Sequence, residues 1–176
     1  MKGNCKKRAT LILITCAGGI LLLSVSFKIS VYKHHYYLNL SESAPLGLYR
    51  VIHTSSLFLK RGDMVVFSPP EWAEPLVYGR SWLPRGWPLL KYVGALEGDT
   101  YCVLFGDFFV NGKYIGKVST QDSQGLPLYP MKGCHTVEYA SFLPVSSHIP
   151  NSFDGRYMGA VSLSCIIGKA YPVKVL

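Results

Sequence analysis

The chain has 176 residues and only 16% of them are charged, against about a quarter in a typical soluble domain. Its formal net charge is +8, and four of the basic residues lie within the first eight positions, where no acidic residue accompanies them. There is no long Lys/Arg stripe and no nucleic-acid-binding motif, so nothing indicates nucleic acid as a partner. This length fits a short membrane anchor and one further domain.

The first predicted element is a membrane-spanning helix at residues 9–27. This stretch carries no charge, and as a helix it would be about 28 Å long, close to the thickness of a bilayer's hydrocarbon core. The preceding basic residues predict that 1–8 stay in the cytoplasm and that 28–176 form a domain on the far side of the membrane, attached by a single pass. If the membrane is a bacterial inner membrane, this domain is periplasmic. A cleaved signal peptide is the alternative, although its apolar region would be shorter and no Ala-x-Ala-like site follows.

After the anchor, the pattern predicts a mainly β domain without a further amphipathic helix. Residues 28–40 mix aromatic and basic side chains, which is typical of the membrane–water interface. Segments 71–88 and 119–134 are predicted as loops, and Asn111-Gly112 gives the strongest hairpin signal. Short alternating or apolar runs predict strands at 48–54, 64–67, 89–93, 101–105, 108–110, 113–115, 136–139, 158–163 and 165–172.

Three cysteines lie beyond the anchor, where a periplasm would be oxidising. Of the three possible pairs we favour Cys102–Cys134, which would join a strand to a loop. Cys165 lies in an apolar strand and is interpreted as a buried hydrophobic residue. There is no Cys-x-x-Cys motif, and the adjacent His34 and His35 lack ligand spacing, so neither a metal site nor a cofactor is predicted.

A stiff, serine-containing bend follows the interfacial segment, in the sequence SESAPLGLY at 41–49. Pro45 has a fixed φ and biases Ala44 toward extended geometry, while Gly47 permits a turn that other residues resist. Such a mount would hold Ser43 still and exposed, with backbone N–H groups free to bind an oxyanion. The alternative is an ordinary linker, because Ser, Pro and Gly are common in turns.

Lys91 interrupts an otherwise apolar strand in the sequence PLLKYVG. It could be the outward-facing lysine of an alternating strand. If it faces an apolar interior instead, desolvation can lower a lysine pKa by 3 or more units from about 10.4. A neutral lysine of this kind can accept the proton of Ser43 without help from a histidine or a carboxylate.

Four blocks in this order resemble those of the signal peptidase I family, which consists of membrane-anchored Ser/Lys peptidases. They are the Ser41–Gly47 bend, RGDMVVF (61–67), LLKYVGALEGD (89–99) and NSFDGRYMG (151–159). The Ser-Ala-Pro-Leu-Gly form of the bend is more similar to the TraF-type peptidases of conjugative transfer systems, which mature a pilin subunit. The resemblance implies a signal-peptidase-like antiparallel β-domain, and the short chain leaves no room for a large second β-domain.

The resemblance also implies site roles. Ser43 would be the nucleophile and Lys91 the general base. Ser41 would provide a hydroxyl that helps to stabilise the oxyanion, and Ser152 a hydroxyl that orients the lysine. Asp154 and Arg156 would form an ion pair that braces the site. The sequence departs from the family pattern at Tyr92, Glu97 and Gly155, none of which is a catalytic position.

The resemblance further implies the substrate, which would be a membrane-bound protein precursor with a small residue before the scissile bond. In the TraF-type branch this is a conjugative pilin, which is cleaved and in some cases cyclised, alongside components of a type IV secretion or conjugation apparatus. The first alternative is a general signal peptidase I that removes signal peptides. The second is a non-catalytic scaffold of the transfer apparatus. A LexA-like self-cleaving regulator shares the Ser/Lys pair, but the anchor and the lack of a DNA-binding module argue against it.

Overall fold

The computed structural model describes residues 35–53, 58–146, 149 and 152–176. The chain divides into two compact units, Met1–Tyr37 and Leu38–Leu176. Only residues 35–37 of the first unit are described, so the predicted anchor at 9–27 lies outside the described residues. Within the described ranges, no helix is long and apolar enough to cross a membrane.

The described part of the second unit is built mainly of β-strands, with two single-turn α-helices, α1 (Glu74–Val77) and α2 (Gly155–Met158). Short 3₁₀ turns occur at Glu71–Ala73 and Leu163–Cys165. The first strand begins just before this unit. In chain order the strands are β1 (Tyr36–Asn39), β2 (Gly47–Ile52), β3 (Met64–Phe67), β4 (Leu89–Leu96), β5 (Thr100–Leu104), β6 (Asp107–Val110), β7 (Lys113–Lys117), β8 (Gly133–Thr136), β9 (Ser141–Val145), β10 (Val161–Ser162) and β11 (Ile166–Val175).

The strands form two sheets. The larger has the order β1-β2-β11-β3-β4-β9-β10, and its pairings from β2 to β10 are antiparallel. The smaller has the order β7-β6-β5-β8 and is antiparallel throughout. The predicted mainly β, antiparallel domain is therefore confirmed.

Two clusters of buried side chains form the core. In the first, Phe67 of β3 and Phe142 of β9 are fully buried and meet edge to face, with ring centroids 5.3 Å apart. In the second, Phe108 of β6 packs with Val103 of β5 and Leu143 of β9. Each such side chain contributes about 1.5–3 kcal/mol by leaving water, so these clusters hold the strands that carry the candidate site.

Most predicted strands are present within one to three residues of their expected ends, as β2 to β7 and β11. The predicted strand at 136–139 is wrong, because β8 ends at Thr136 and the chain turns before β9. The backbone N–H and C=O of Val137 face the turn at 98–99, where they bond Asp99 O and Gly98 N, and Ala140 adopts a φ of 51°. Strand β1 was not predicted, since we interpreted residues 28–40 as an interfacial segment.

The predicted strand at 158–163 is also wrong, since helix α2 ends at Met158 and only Val161–Ser162 forms a strand. Asp154 caps the helix by accepting a hydrogen bond from Arg156 N at 3.0 Å. The segment 71–88, predicted as a loop, likewise contains helix α1, which has Pro75 in its first turn. Proline is well suited to that position because its missing N–H has no partner there.

The turn residue Asp99 fastens the two sheets together. Its carboxylate accepts hydrogen bonds from the Arg61 guanidinium, from Leu96 N at 2.8 Å and from Asn111 Nδ2 at 2.9 Å. Arg61 precedes β3 of the larger sheet, whereas Asn111 follows β6 of the smaller one. These bonds hold the pKa of the Asp99 carboxyl well below its usual range, with the Arg61 hydrogen bond as the largest cause.

Cys102 and Cys134 form a disulfide, the pair favoured from the sequence. They are register partners on β5 and β8, with Cα atoms 4.1 Å apart. Cys165 is free and half-buried rather than fully buried, and burial raises the pKa of its thiol. The interpretation of Cys165 as a buried core residue is therefore corrected, because it lies in the 3₁₀ turn just before β11.

Candidate active site

The bend that carries Ser43 leaves β1 and enters β2. Ser43 is half-buried, while Ala44 beside it is almost fully buried at 1% exposure. Gly47 has a φ of 153°, and a β-carbon there would collide with the carbonyl oxygen of Lys174 on β11. Glycine is thus required for β2 to pair closely with the end of β11, and this pairing fixes one end of the bend.

Ser41 lies against the predicted nucleophile. Its Oγ is 2.9 Å from Ser43 Oγ and accepts a hydrogen bond from Ser43 N at 3.3 Å. The Ser43 N–H and the Ser41 hydroxyl therefore occupy the same small space beside the Ser43 side chain. Two donors so placed can together hold an oxyanion that forms on a carbonyl attacked by Ser43.

Asn39, a residue that the sequence reasoning missed, shapes this bend from within. Its side chain is buried at 3% exposure. The amide nitrogen donates to the carbonyls of Ser41 at 2.9 Å, Ala44 at 3.0 Å and Pro45 at 3.0 Å, and Oδ1 accepts from Ser41 N at 3.1 Å. The only available sequence signal was the general tendency of Asn to bond nearby backbone in turns.

Lys91 faces the interior from the middle of β4 and is 3% exposed. The alternative of an outward-facing surface lysine is excluded by this burial. Its Nζ donates to Ser152 Oγ at 2.8 Å. Burial lowers the pKa of Lys91 to about 8, with Asp154 opposing the shift and Arg156 adding to it. A base with this pKa is partly neutral near pH 7, which an exposed lysine is not.

Asp154 and Arg156 form a fully buried ion pair. Asp154 Oδ1 accepts from Arg156 Nε at 2.9 Å and Oδ2 accepts from Nη2 at 2.8 Å, so the pairing is bidentate. Arg156 Nη1 also donates to Lys117 O at 2.8 Å, which links the pair to β7 of the smaller sheet. This pair anchors the segment that carries Ser152.

Ser146, a second residue missed from the sequence, connects the bend to this ion pair. It follows β9, and its Oγ donates to Ser43 O at 2.6 Å while its backbone N donates to Asp154 Oδ2 at 2.7 Å. Because Tyr92 on β4 pairs with Val145 on β9, the same antiparallel register places Ser146 alongside Lys91. The structure thus attaches the Ser43 bend to the sheet position next to Lys91.

The predicted site residues therefore meet in one region through two groups of contacts. Ser43 is bonded to Ser41 and, through its carbonyl, to Ser146, whereas Lys91 is bonded to Ser152. Within the described part of the chain, the Lys91 Nζ donates to Ser152 Oγ and not to Ser43 Oγ. Catalytic hydrogen bonds are often long in unliganded enzymes and tighten when substrate binds.

The segment 71–88 packs on the neighbour of Ser152. The Trp82 ring lies 5.1 Å from the ring of Phe153, and Phe153 in turn stacks on Tyr157 at 6.0 Å. The Arg80 guanidinium lies over Trp82, 5.5 Å from its ring centroid. These aromatic contacts support the Ser152 segment from the side of helix α1. No group of three or more His, Cys, Asp or Glu side chains among the described residues could hold a metal ion.

Comparison with known proteins agrees with the sequence blocks. The family described as signal peptidase, peptidase S26, matches residues 7–174. A conjugal transfer protein TraF of Agrobacterium fabrum is 36% identical over 148 residues, which cover 78% of this chain and 81% of the relative. A plasmid transfer protein TraF of Escherichia coli is 30% identical over 149 residues, covering 77% and 81%. A solved signal peptidase I from Enterococcus faecalis covers 65% of this chain and 98% of its own, with 19% identity and a TM-score of 0.39.

Proposed function

The chain belongs to the signal peptidase family, peptidase S26, and we propose that it is a serine endopeptidase with Ser43 as nucleophile and Lys91 as general base. The observation that carries the proposal is the state of Lys91. It is buried, its pKa is lowered to about 8, and its Nζ is oriented by Ser152. At pH 7 roughly a tenth of such a lysine is neutral, against about one in a few thousand for a free lysine.

The chemistry follows from these positions. Neutral Lys91 accepts the proton of Ser43 Oγ as that oxygen attacks the scissile carbonyl. The Ser43 N–H and the Ser41 hydroxyl stabilise the oxyanion, since they already lie beside Ser43 Oγ. Lys91 then passes the proton to the leaving amine. Water, or an amine in the case of cyclisation, attacks the acyl-enzyme and releases Ser43.

We infer the substrate from the relatives. Two similar proteins are named for conjugal or plasmid transfer, which supports a role in conjugation and, as substrate, a membrane-bound pilin precursor. A small residue would precede the cleaved bond, and the substrate would dock in extended form as an added strand. The alternatives are a general signal peptidase and a non-catalytic scaffold, and the buried lysine gives a scaffold no evident advantage.

We propose a location to match. Residues 9–27 would anchor the protein in a bacterial inner membrane, with 1–8 in the cytoplasm and the catalytic domain in the periplasm. The Cys102–Cys134 disulfide supports an oxidising compartment for that domain.

Mating assays in cells test the function. The chain would be expressed as wild type, Ser43→Ala or Lys91→Ala in a donor that lacks its own copy, with Ser141→Ala and Lys113→Ala as matched controls. We expect both site variants to lose precursor processing and transfer, while the controls keep both. Intact masses of the pilin distinguish hydrolysis from cyclisation, which removes one further water. Transfer that persists in both site variants would favour the scaffold, and rescue of a strain depleted of leader peptidase would favour the general enzyme.

A further inference from the structure

The backbone N–H, the carbonyl and the hydroxyl of Ser146 all bond to residues of the candidate site, although Ser146 lies outside the four sequence blocks. It is 1% exposed. Its backbone N donates to Asp154 Oδ2 at 2.7 Å, its carbonyl accepts from Arg156 Nη2 at 2.6 Å, and its hydroxyl donates to Ser43 O at 2.6 Å. The backbone bonds fix Ser146 to the buried ion pair, which leaves the hydroxyl as the single group directed at Ser43.

The carbonyl that Ser146 binds belongs to the nucleophile itself. A peptide unit is planar, so holding Ser43 O also sets the plane that contains the Ala44 N–H. On the other side of the bend, Asn39 binds the carbonyls of Ala44 and Pro45. Tyr49 Oη also donates to the carbonyl of Pro45, at 2.6 Å. Among these contacts to the bend, the Ser146 bond is the one that comes from the part of the sheet that carries Lys91.

We propose that Ser146 is a positioning residue whose hydroxyl sets Ser43 against Lys91. The inference rests on the proposed function, because it concerns the geometry of that reaction. Ser43 lies in the bend between β1 and β2, whereas Lys91 lies on β4, and the Ser146–Ser43 bond spans 103 residues of sequence. A misplacement of about 1 Å can cost a reaction roughly 100-fold, so one short bond at this point has a large effect on rate.

The competing explanation is that Ser146 merely satisfies a buried carbonyl. In that case its loss would destabilise the fold, but each folded molecule would react at the normal rate. A positioning role predicts instead that the loss appears in the reaction rate of the folded molecule. The chemical step would slow, while substrate affinity and the ionisation of Lys91 would stay unchanged, because Lys91 bonds to Ser152 rather than to Ser146.

The test measures single-turnover cleavage of a peptide spanning the pilin cleavage site, using the full chain in detergent micelles. Ser146→Ala is compared with Ser146→Thr, which keeps the hydroxyl, and with Ser141→Ala, a matched loss of a hydroxyl on β9. We expect Ser146→Ala to slow the chemical step 10- to 100-fold per folded molecule, with KM within about twofold of wild type. The inflection of its pH–rate profile should stay at the wild-type pH. Ser146→Thr should recover most of the rate, and Ser141→Ala should match wild type.

Two outcomes would overturn the inference in distinguishable ways. A wild-type rate per folded molecule in Ser146→Ala, with cleavage still abolished in Ser43→Ala, would overturn the positioning role alone. Absence of cleavage by wild type, or full cleavage by Ser43→Ala, would overturn the proposed function and the inference with it. Ser146→Cys, which keeps the volume but offers only a weak donor, replaces Ser146→Ala if that variant does not fold.

Discussion

At the scale of single residues, the lysine of the candidate site works against the stability of the fold. Lys91 is buried, and its pKa of about 8 lies below its ordinary value of 10.5, so the folded state disfavours its charged form. At pH 7 the unfolded chain binds the proton more tightly, and folding therefore bears the cost of that difference. Such a cost is expected where a residue is kept for its chemistry rather than for packing.

Replacing Lys91 by methionine should stabilise the protein at neutral pH. The lowered pKa corresponds to a cost of about 3 kcal/mol for burying the charged lysine, which methionine removes. Loss of the hydrogen bond to Ser152 offsets about 1 kcal/mol of that gain in stability. A net gain of about 2 kcal/mol is expected in urea unfolding at pH 7. The gain should shrink as the pH rises from about 8 and vanish near pH 10, because the unfolded state then loses its advantage in binding the proton. Above about pH 10.5 the variant should be slightly less stable than wild type, since only the lost hydrogen bond to Ser152 then counts. A Lys91→Met variant that is less stable than wild type at pH 7 would contradict the cost assigned to burying the charged lysine.

The rate of cleavage should follow the ionisation of the same lysine. Only neutral Lys91 accepts the Ser43 proton, so the single-turnover rate should rise tenfold per pH unit and level off above about pH 8. Ser152→Ala removes the bond to Nζ and should lower the plateau about 10- to 100-fold. A profile without an inflection between pH 7 and 9 would show that another group is the base.

The sequence indicated Ser43, Lys91 and their predicted partners as candidates because those residues lie within compact blocks of family-like pattern. Asn39 and Ser146 were not predicted from the sequence, for a physical reason. Both act on backbone carbonyls, which leave no mark in the sequence, and the Ser146 contact joins positions 103 residues apart. The SSH run around Ser146 is indistinguishable by composition from any polar loop.

At the scale of elements, short apolar or alternating runs predicted most of the strands and failed where a helix cap or a turn contact decides the local structure. Strand β4 shows the first case, since its apolar run is buried as expected. Helix α2 shows the second, because Asp154 caps it and turns an apolar run away from strand geometry. The segment after β8 fails similarly, since Val137 bonds to the turn at Asp99 rather than to another strand.

The disulfide between β5 and β8 should be the main covalent support of the smaller sheet. It closes a span of 32 residues, for which chain entropy predicts a stabilisation of about 3–4 kcal/mol. We expect the double variant Cys102→Ala/Cys134→Ala to unfold at a correspondingly lower urea concentration. The cleavage rate of the folded variant should change little, because Lys91 lies on β4 of the larger sheet and Ser43 lies in the bend between two strands of that sheet. Cys165→Ala is the matched control. Equal stability of the reduced and oxidised wild type would argue against this support.

At the scale of the whole molecule, the smaller sheet is joined to the sheet of the candidate site by polar contacts as well as by chain connections. The Asp99 carboxylate accepts hydrogen bonds from Arg61 beside the larger sheet and from Asn111 beside the smaller one. Arg156 of the candidate site donates to the backbone of β7. Polar junctions of this kind depend on every partner being satisfied. The sequence indicated turns at 61–63 and 98–99, but not that one carboxylate would join them.

Asp99→Asn should make the fold less sensitive to acid. The pKa of Asp99 lies below its usual range, so its contribution is fully present above about pH 4 and is lost as the pH falls toward the folded value. At pH 7 the variant should be about 1–2 kcal/mol less stable, because the amide accepts fewer of the bonds. The difference in unfolding midpoint between wild type and variant should narrow between pH 4 and pH 2. Asp107→Asn serves as the control, because it also removes one carboxylate. A difference in unfolding midpoint that stays constant with pH would contradict the role assigned to Asp99.

The central claim is that Ser43 becomes acylated because Lys91 is neutral in its buried position. The most direct measurement is acid quenching of a single turnover by purified full chain, followed by mass mapping of the acyl group. We predict an acyl adduct on Ser43 in wild type and none in Lys91→Met, even though that variant is folded and more stable. An adduct on another residue, or undiminished acylation of Ser43 in Lys91→Met, would contradict the account.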